Sequence, residues 1–354
     1  MSKLNALGLD LGSSVVKIIQ LRESKKGLFL EQFATAPLPH DAIVDGAFMN
    51  PIAVIETIKT LIAQYKIKNK FCAVSLNGHS VIIKKISLPT MTPEELQESI
   101  QWEAEQYIPF DIKDVNLDVQ ILSHRADTGH MDVLLVAAKR DMISDYAETV
   151  RRSGLEPMVV DVDAFCLHNM FERAHGFVPG EVIALLNIGA SIMNINVIAG
   201  GNTAFTRDVR SGGNQFVEEI QRQLNVSREE AEAYLLGGDP GHDTDAVIPQ
   251  EVERVIYQVA ENVAAEVQRS LDFYATTSAE GDISRLYLCG GTSKLPTVGK
   301  VLGKKLRLPV ENVDPFRNIS IDPKRFDPEY MREVAPLAGT VVGLGLRRPG
   351  DKDR

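Results

Sequence analysis

Residues 4–21 read LNALGLDLGSSVVKIIQL, two apolar runs parted by Asp10, Gly12, Ser13 and Ser14. A glycine and two serines suffice for a turn between two strands. They do not account for an aspartate at the end of an apolar strand, because a buried carboxylate is costly without a partner. The same layout returns at residues 184–198, ALLNIGASIMNINVI, where Asn187, Gly189, Ala190 and Ser191 stand between two apolar runs. One supersecondary unit used twice predicts two related domains. A third strand end, LCGGTSKLP at residues 288–296, pairs Gly290 with Gly291 and continues through Thr292 to Leu295.

A strand–Gly–small–Ser turn presents backbone N–H groups and hydroxyls to one concavity, which suits phosphate oxygens. Either turn alone reads equally well as a structural hairpin. Two in equivalent places clamp a polyphosphate from both sides. Asp10 would then hold Mg2+ through water, since that ion takes few carboxylates and keeps much of its hydration shell. The Gly290–Gly291 pair lets backbone approach a flat base or a ribose.

A chain of 354 residues exceeds one ordinary core, so two domains or one elaborated domain are expected. Its formal net charge of −10 argues against general nucleic-acid binding, which leaves a basic footprint. Cys72, Cys166 and Cys289 sit in apolar surroundings without metal-ligand spacing and read as buried, reduced thiols. The seven histidines are scattered and show no ligand pairing. The first residues lack the pattern of a secretory leader, and no apolar run is long enough to cross a bilayer. A soluble intracellular protein is expected.

Three strands are predicted over residues 4–36, followed by a helix behind Pro51, whose stripe is Ile52, Ile55, Ile58, Leu61 and Ile62. After the strand FCAVSL, Thr92 and Glu95 form a capping box with Pro93 at the first helical position. That helix carries Leu96, Ile100, Ala104 and Tyr107 on one face and ends before Pro109. Trp102 lies roughly 120° or more from this stripe at about 100° per residue, and reads either as packing on the first domain or as a partner anchor. Two strands and a helix ending at Gly154 complete an α+β insertion. Further on, a long helix over residues 249–279 has Val252, Val255, Ile256, Val259, Val263, Val267 and Leu271 on one stripe. A last helix is expected over EVAPLAGTVVGLGLRR.

In order and spacing, the turns at residues 10–14, 187–191 and 290–296 resemble the two phosphate motifs and the adenosine motif of the actin-like ATPase superfamily. The stretches VVDVDAFCLHNMF and EVAPLAGTVVGLGL resemble its two connecting helices. An insertion within the first half is similar to the branch that holds FtsA and PilM. ESIQWEAEQYIPFDIKDVNLDVQIL and the stretch from Met131 to Phe165 resemble the PilM family of type IV pilus assembly proteins specifically.

The resemblance implies an α/β actin-like fold of two related domains with mixed sheets. It divides the chain into residues 1–80, the inserted α+β subdomain 81–155, a return at 156–180, a second domain 181–332 with a helical part at about 212–281, and a C-terminal helix at 333–354. It implies ATP with Mg2+, held by Asp10, Gly12, Ser13, Ser14, Lys17, Asn187, Gly189, Ala190, Ser191, Gly212, Gly213, Asn214, Gly290, Gly291, Thr292 and Leu295. Glu230 either faces the adenosine end or lies on a solvated helix face. The implied role is a cytoplasmic adaptor, recruited to the inner membrane, that grips the N-terminal peptide of the inner-membrane protein PilN. Implied further partners are PilO indirectly, the motor ATPases or the platform protein, with a ring or other oligomer in the assembled machine. Ile108, Pro109 and Phe110 at the insertion's edge, with Trp102, are the candidates for that contact, against the reading of a buried turn.

Asn187 departs from the superfamily's second phosphate motif, which carries an aspartate there. An amide hydrogen-bonds water but cannot accept a proton, so binding should survive better than hydrolysis. Asp163 falls where related hydrolases place an acid near the attacking water, or else it caps the helix from Ala164. Two alternatives remain. An FtsA-like filament-forming membrane protein would need an amphipathic terminal helix, and a small-molecule kinase would need a carboxylate base at the cleft.

Overall fold

The computed structural model describes residues 4–237, 250–348 and 350–351. The opening turn joins strands Leu4–Leu11 and Val15–Ser24, which pair antiparallel, and Gly27–Pro37 continues the meander. Phe71–Leu76 pairs parallel with the first strand, and Glu156–Val162 pairs parallel with Phe71–Leu76 at the sheet's edge. Ile319–Ser320 closes the other edge of this six-stranded sheet. The second turn builds the same arrangement: Val182–Ile188 pairs antiparallel with Met193–Ala199, which pairs with Asn202–Val209. Arg285–Cys289 and Val310–Asn312 add in parallel on the other side. The parallel strands are apolar because helices cover them: five residues of VIALLNI are fully buried in an unbroken run, and only Asn187 near its end is partly exposed.

Between residues 78 and 152 the insertion forms a three-stranded antiparallel sheet, with His130–Lys139 central between Val81–Pro89 and Val115–Arg125. The helix Pro93–Ala104 starts on the capping box of Thr92 and Glu95 and buries Leu96, Ile100 and Ala104 against that sheet. Trp102 faces away from this core and is 75% exposed, so its reading as domain packing is overturned. Ile108 is buried in the insertion's core, which removes it from any surface groove. Pro109 is exposed, and Phe110 is half-buried beneath the Lys139 ammonium, 4.7 Å from the ring centre.

The helix Gln250–Thr277 buries its whole predicted stripe against the second sheet; residue 249 lies outside the described residues. The single helix expected near the C-terminus is instead three pieces, Pro328–Val334, a 3-10 turn Ala335–Ala338 and Gly339–Gly345. Pro336 has no N–H to continue the helical ladder. Its carbonyl instead accepts the Gly290 amide at 2.7 Å, which ties this break to the third glycine turn.

Gly339–Gly345 crosses Asp163–Ala174 between the two sheets. A Cβ at Gly343 would stand 2.0 Å from the Cys166 carbonyl oxygen, and one at Gly8 2.7 Å from Val341 O, so these backbones meet with no room for a side chain. All three cysteines are free and buried, and burial pushes the Cys72 and Cys289 thiols up to about 12, so they are inert packing groups. Because backbone cannot yield as a side chain end can, Gly343→Ala should lower unfolding free energy by about 3 kcal/mol or more, measured by denaturant titration.

Candidate functional site

A parallel strand ends where its helix or loop begins, so polar groups gather at the carboxyl ends of such strands. Here Asp10, Asn77 and Asp163 terminate three strands of the first sheet, and Asn187 and Gly290 two of the second. They face each other across a cavity of about 460 Å3, within the roughly 300–1,000 Å3 usual for small-molecule sites.

The first wall is the opening turn. Gly12, Ser13 and Ser14 line the cavity, and Lys17 on the returning strand places its ammonium 2.8 Å from the Asp10 carboxylate. Both side chains are largely buried, so this ion pair is screened little by solvent. The opposite wall is the second turn, with Gly189, Ala190 and Ser191. It is braced from behind: Gly213 N–H donates to Gly189 O at 3.0 Å, Asn214 N–H to Ala190 O at 2.8 Å, and Thr292 Oγ1 to Gly189 O at 2.9 Å. Gly213, Asn214, Gly290, Gly291, Thr292 and Leu295 also line the cavity. Gly290 has φ 91, and a Cβ there would meet Ile188 O at 2.3 Å, so the strand end and the glycine turn touch through backbone alone.

At the cavity's base the acids are arranged in depth. Asp163 accepts from Ser75 Oγ at 2.5 Å and from Asn77 Nδ2 at 2.7 Å. Burial pushes its carboxyl up to about 7, the Asp10 charge adds to the rise, and the two hydrogen bonds only partly oppose it. Asn187 donates to Asn194 Oδ1 at 2.8 Å, Asn194 donates to Asp208 Oδ1 at 2.8 Å, and the other Asp208 oxygen accepts the Gly78 amide at 2.7 Å. Burial raises the Asp208 carboxyl as well, against the pull of those two donors. Among the described residues no group of three or more His, Cys, Asp or Glu side chains could hold a metal ion. No described helix is long and apolar enough to cross a membrane.

A family profile described as type IV pilus assembly protein PilM matches residues 8–349. The chain belongs to the PilM family. It is similar to a solved structure titled "PilM-PilN type IV pilus biogenesis complex", with 29% identity, TM-score 0.84, and 97% of this chain and 98% of that one covered. It shares its fold with the ethanolamine utilization protein EutJ from Carboxydothermus hydrogenoformans (16% identity, TM-score 0.58, 97% of this chain and 92% of that one). The same holds for MreB 5 of Spiroplasma citri bound to AMPPNP (14% identity, TM-score 0.51, 96% and 94% covered). The fold is therefore that of the actin-like ATPases, and the family is one of pilus assembly rather than of filament tethers or small-molecule kinases.

Most residues that the sequence singled out for a ligand face this cavity, but Gly212 does not, and Glu230 takes the helix-face alternative. Gly212 lies outside its lining, packed under the second turn where a Cβ would be 2.5 Å from Gly189 O. Glu230 is spent on a capping box with Ser227, while Arg228 and Glu232 of the same helix line the cavity, 2.8 Å apart. Asp163 does not cap its helix; that helix begins at Asp163 itself, without a side-chain cap, and the carboxyl turns to Ser75 and Asn77. Asn77, Asn194 and Asp208 were missed. Asn77 carried a signal, a polar residue ending an apolar strand as Asp10 does, whereas Asp208 sits inside a polar strand with none.

Asp163 also makes stability depend on pH. Its folded pKa stands above the unfolded value near 4, so between about 4 and 7 the folded state binds more protons and stability falls as pH rises. Asp163→Asn removes the buried charge. It should flatten that slope and leave the protein more stable at pH 8 than the parent, by on the order of 1 kcal/mol or more, in denaturant melts across this range.

Proposed function

We propose that this chain is an ATP-bound adaptor of the type IV pilus machine, one that grips the cytoplasmic N-terminal peptide of the inner-membrane protein PilN. What carries the reading is the pair of glycine turns facing one another across a single cavity, in a chain whose similar solved relative is a PilM-PilN complex. Gly12, Ser13, Ser14 and Lys17 would take phosphate oxygens from one side and Ala190, Ser191 and Asn214 from the other. Gly291, Thr292 and Leu295, with the apolar Leu235 and Leu236, would receive the adenosine end.

Asp10 is the carboxylate beside the opening turn, and Lys17 already pairs with it. That donor set does not make a resident metal cage. It fits a hydrated Mg2+ that arrives with the phosphates, which Asp10 would hold through water. When bound, the ion would supply charge neutralisation of the phosphates. Turnover should be slow: Asn187 is neutral and tied to Asn194, and both oxygens of Asp163 already accept from Ser75 and Asn77, so neither is placed to take a proton from water without giving up a bond.

The peptide contact belongs beside the insertion, taken in this reading as residues 81–155, where Pro109 and Phe110 remain at the surface. Recruitment to the cytoplasmic face of the inner membrane then runs through PilN, with PilO, the motor ATPases or the platform protein further along. Calorimetric titration of a PilN-type peptide, with and without magnesium-ATP, should show binding strengthened by nucleotide with little phosphate released. Lys17→Ala should weaken ATP binding about tenfold or more, by loss of a charged phosphate contact. Equal peptide affinity in both states, with steady phosphate release, would overturn the adaptor reading.

A further inference from the structure

The parallel strands point their carboxyl ends at the cavity, so their amino ends gather at the opposite end of the first sheet. The hairpin tip Lys25–Lys26 extends past the pairing of Leu4 with Arg22. The loop before Phe71 is pinned to the same end, with Asn69 Nδ2 donating to Asn5 O at 3.1 Å and Glu156 N–H to Lys70 O at 2.7 Å. Lys25, Lys26, Lys66, Lys68 and Lys70 are all exposed there. None of the five forms an ion pair among the described residues. The neighbouring acids are each already matched, Glu23 by Arg348, Glu148 by Arg152 and Glu156 by Arg151. Two apolar side chains stand among these charges: Phe71 is 47% exposed, and Met158 on the adjoining edge strand 42%.

On a chain of net charge −10, five unmatched lysines at one end form a local field opposite in sign to the whole. We propose that this end of the first sheet docks on an anionic phospholipid surface. The chemistry favours that partner over a folded acidic one. A folded acidic partner is matched by the rigid planar fork of arginine, whereas here the arginines are already paired and the free cations are lysines on flexible stems. Such stems suit a diffuse sheet of headgroups, where the charged tip stays at the interface. Phe71 and Met158 supply the shallow apolar contact that such binding adds to charge. The cavity lies at the far end of the same strands and stays open when this end is against a bilayer. This inference does not depend on nucleotide or on PilN.

Flotation of the full chain with vesicles tests it. Vesicles of phosphatidylcholine with about 30% phosphatidylglycerol should carry the protein at low salt, while pure phosphatidylcholine should not, and added salt should release it. The triple variant Lys66→Gln, Lys68→Gln, Lys70→Gln should lose about tenfold or more in partitioning. A control with the same net charge, Lys113→Gln, Lys300→Gln, Lys324→Gln, also at exposed positions, should partition as the parent does. Circular dichroism on both triples checks that they fold. No flotation of the parent, or equal loss in the two triples, overturns the proposal. Capture by a polyglutamate peptide or by RNA without vesicle binding overturns it too, and assigns the lysines to another class of partner.

Discussion

The contact between Gly343 and the Cys166 carbonyl sets where everything else can be. Two helices, one from the middle of the chain and one from its last twenty residues, cross there at backbone distance between the two sheets. Gly8 extends the contact to the first strand, where a side chain would strike Val341 O, and Gly345 lies against Ile19 and Leu21. Asp163 opens one of the crossing helices, and Asp10 is two residues beyond Gly8 on that strand. The place where the two halves meet is therefore set by steric contact of main chains, which is stiff, rather than by side-chain packing, which adapts.

Charge in the resulting cavity is unevenly matched. Lys17 and Asp10 form an ion pair at the phosphate wall. Asp163, on the same cavity, is pushed towards neutrality by burial and by Asp10. The carboxylate absent at position 187 is not absent from the site. It stands one hydrogen-bonded amide further back, at Asp208, joined to Asn187 through Asn194. An acid there shapes the electrostatics of the second turn without facing the cavity as a base.

How far the sequence could be read follows from the range of each interaction. The repeated strand–turn–strand units, the capping box of Thr92 and Glu95, and the stripe of the long helix are local patterns, and each appears as predicted. The cavity-lining glycines and serines were legible for the same reason. Gly212 was misplaced and Glu230 left open because a helix start offers two uses for the same residue, support of the backbone or contact with a ligand, and only the tertiary structure decides between them. Asp208 was invisible because its partners, Asn194 and the Gly78 amide, lie 14 and 130 residues away. Trp102 was undecided because helical periodicity states which face is apolar and not whether the other face is covered.

The Asp208 bond to Gly78 also shows why the insertion is placed where it is. By chain order the insertion belongs to the first half, yet its root and its first strand are tied to the second. Gly78 N–H donates to Asp208, and Lys85 pairs with Glu280 just beyond the long helix. A change in the width of the cavity must therefore either carry the insertion with the second half or break these two contacts. The first alternative alters the seam between the insertion and the first sheet. A ligand that contacts both turns favours one width over the other, and differential contact is what shifting such an equilibrium requires. On the proposed reading, these bonds would link a ligand at the turns to the root of the insertion by way of Asn187, Asn194 and Asp208.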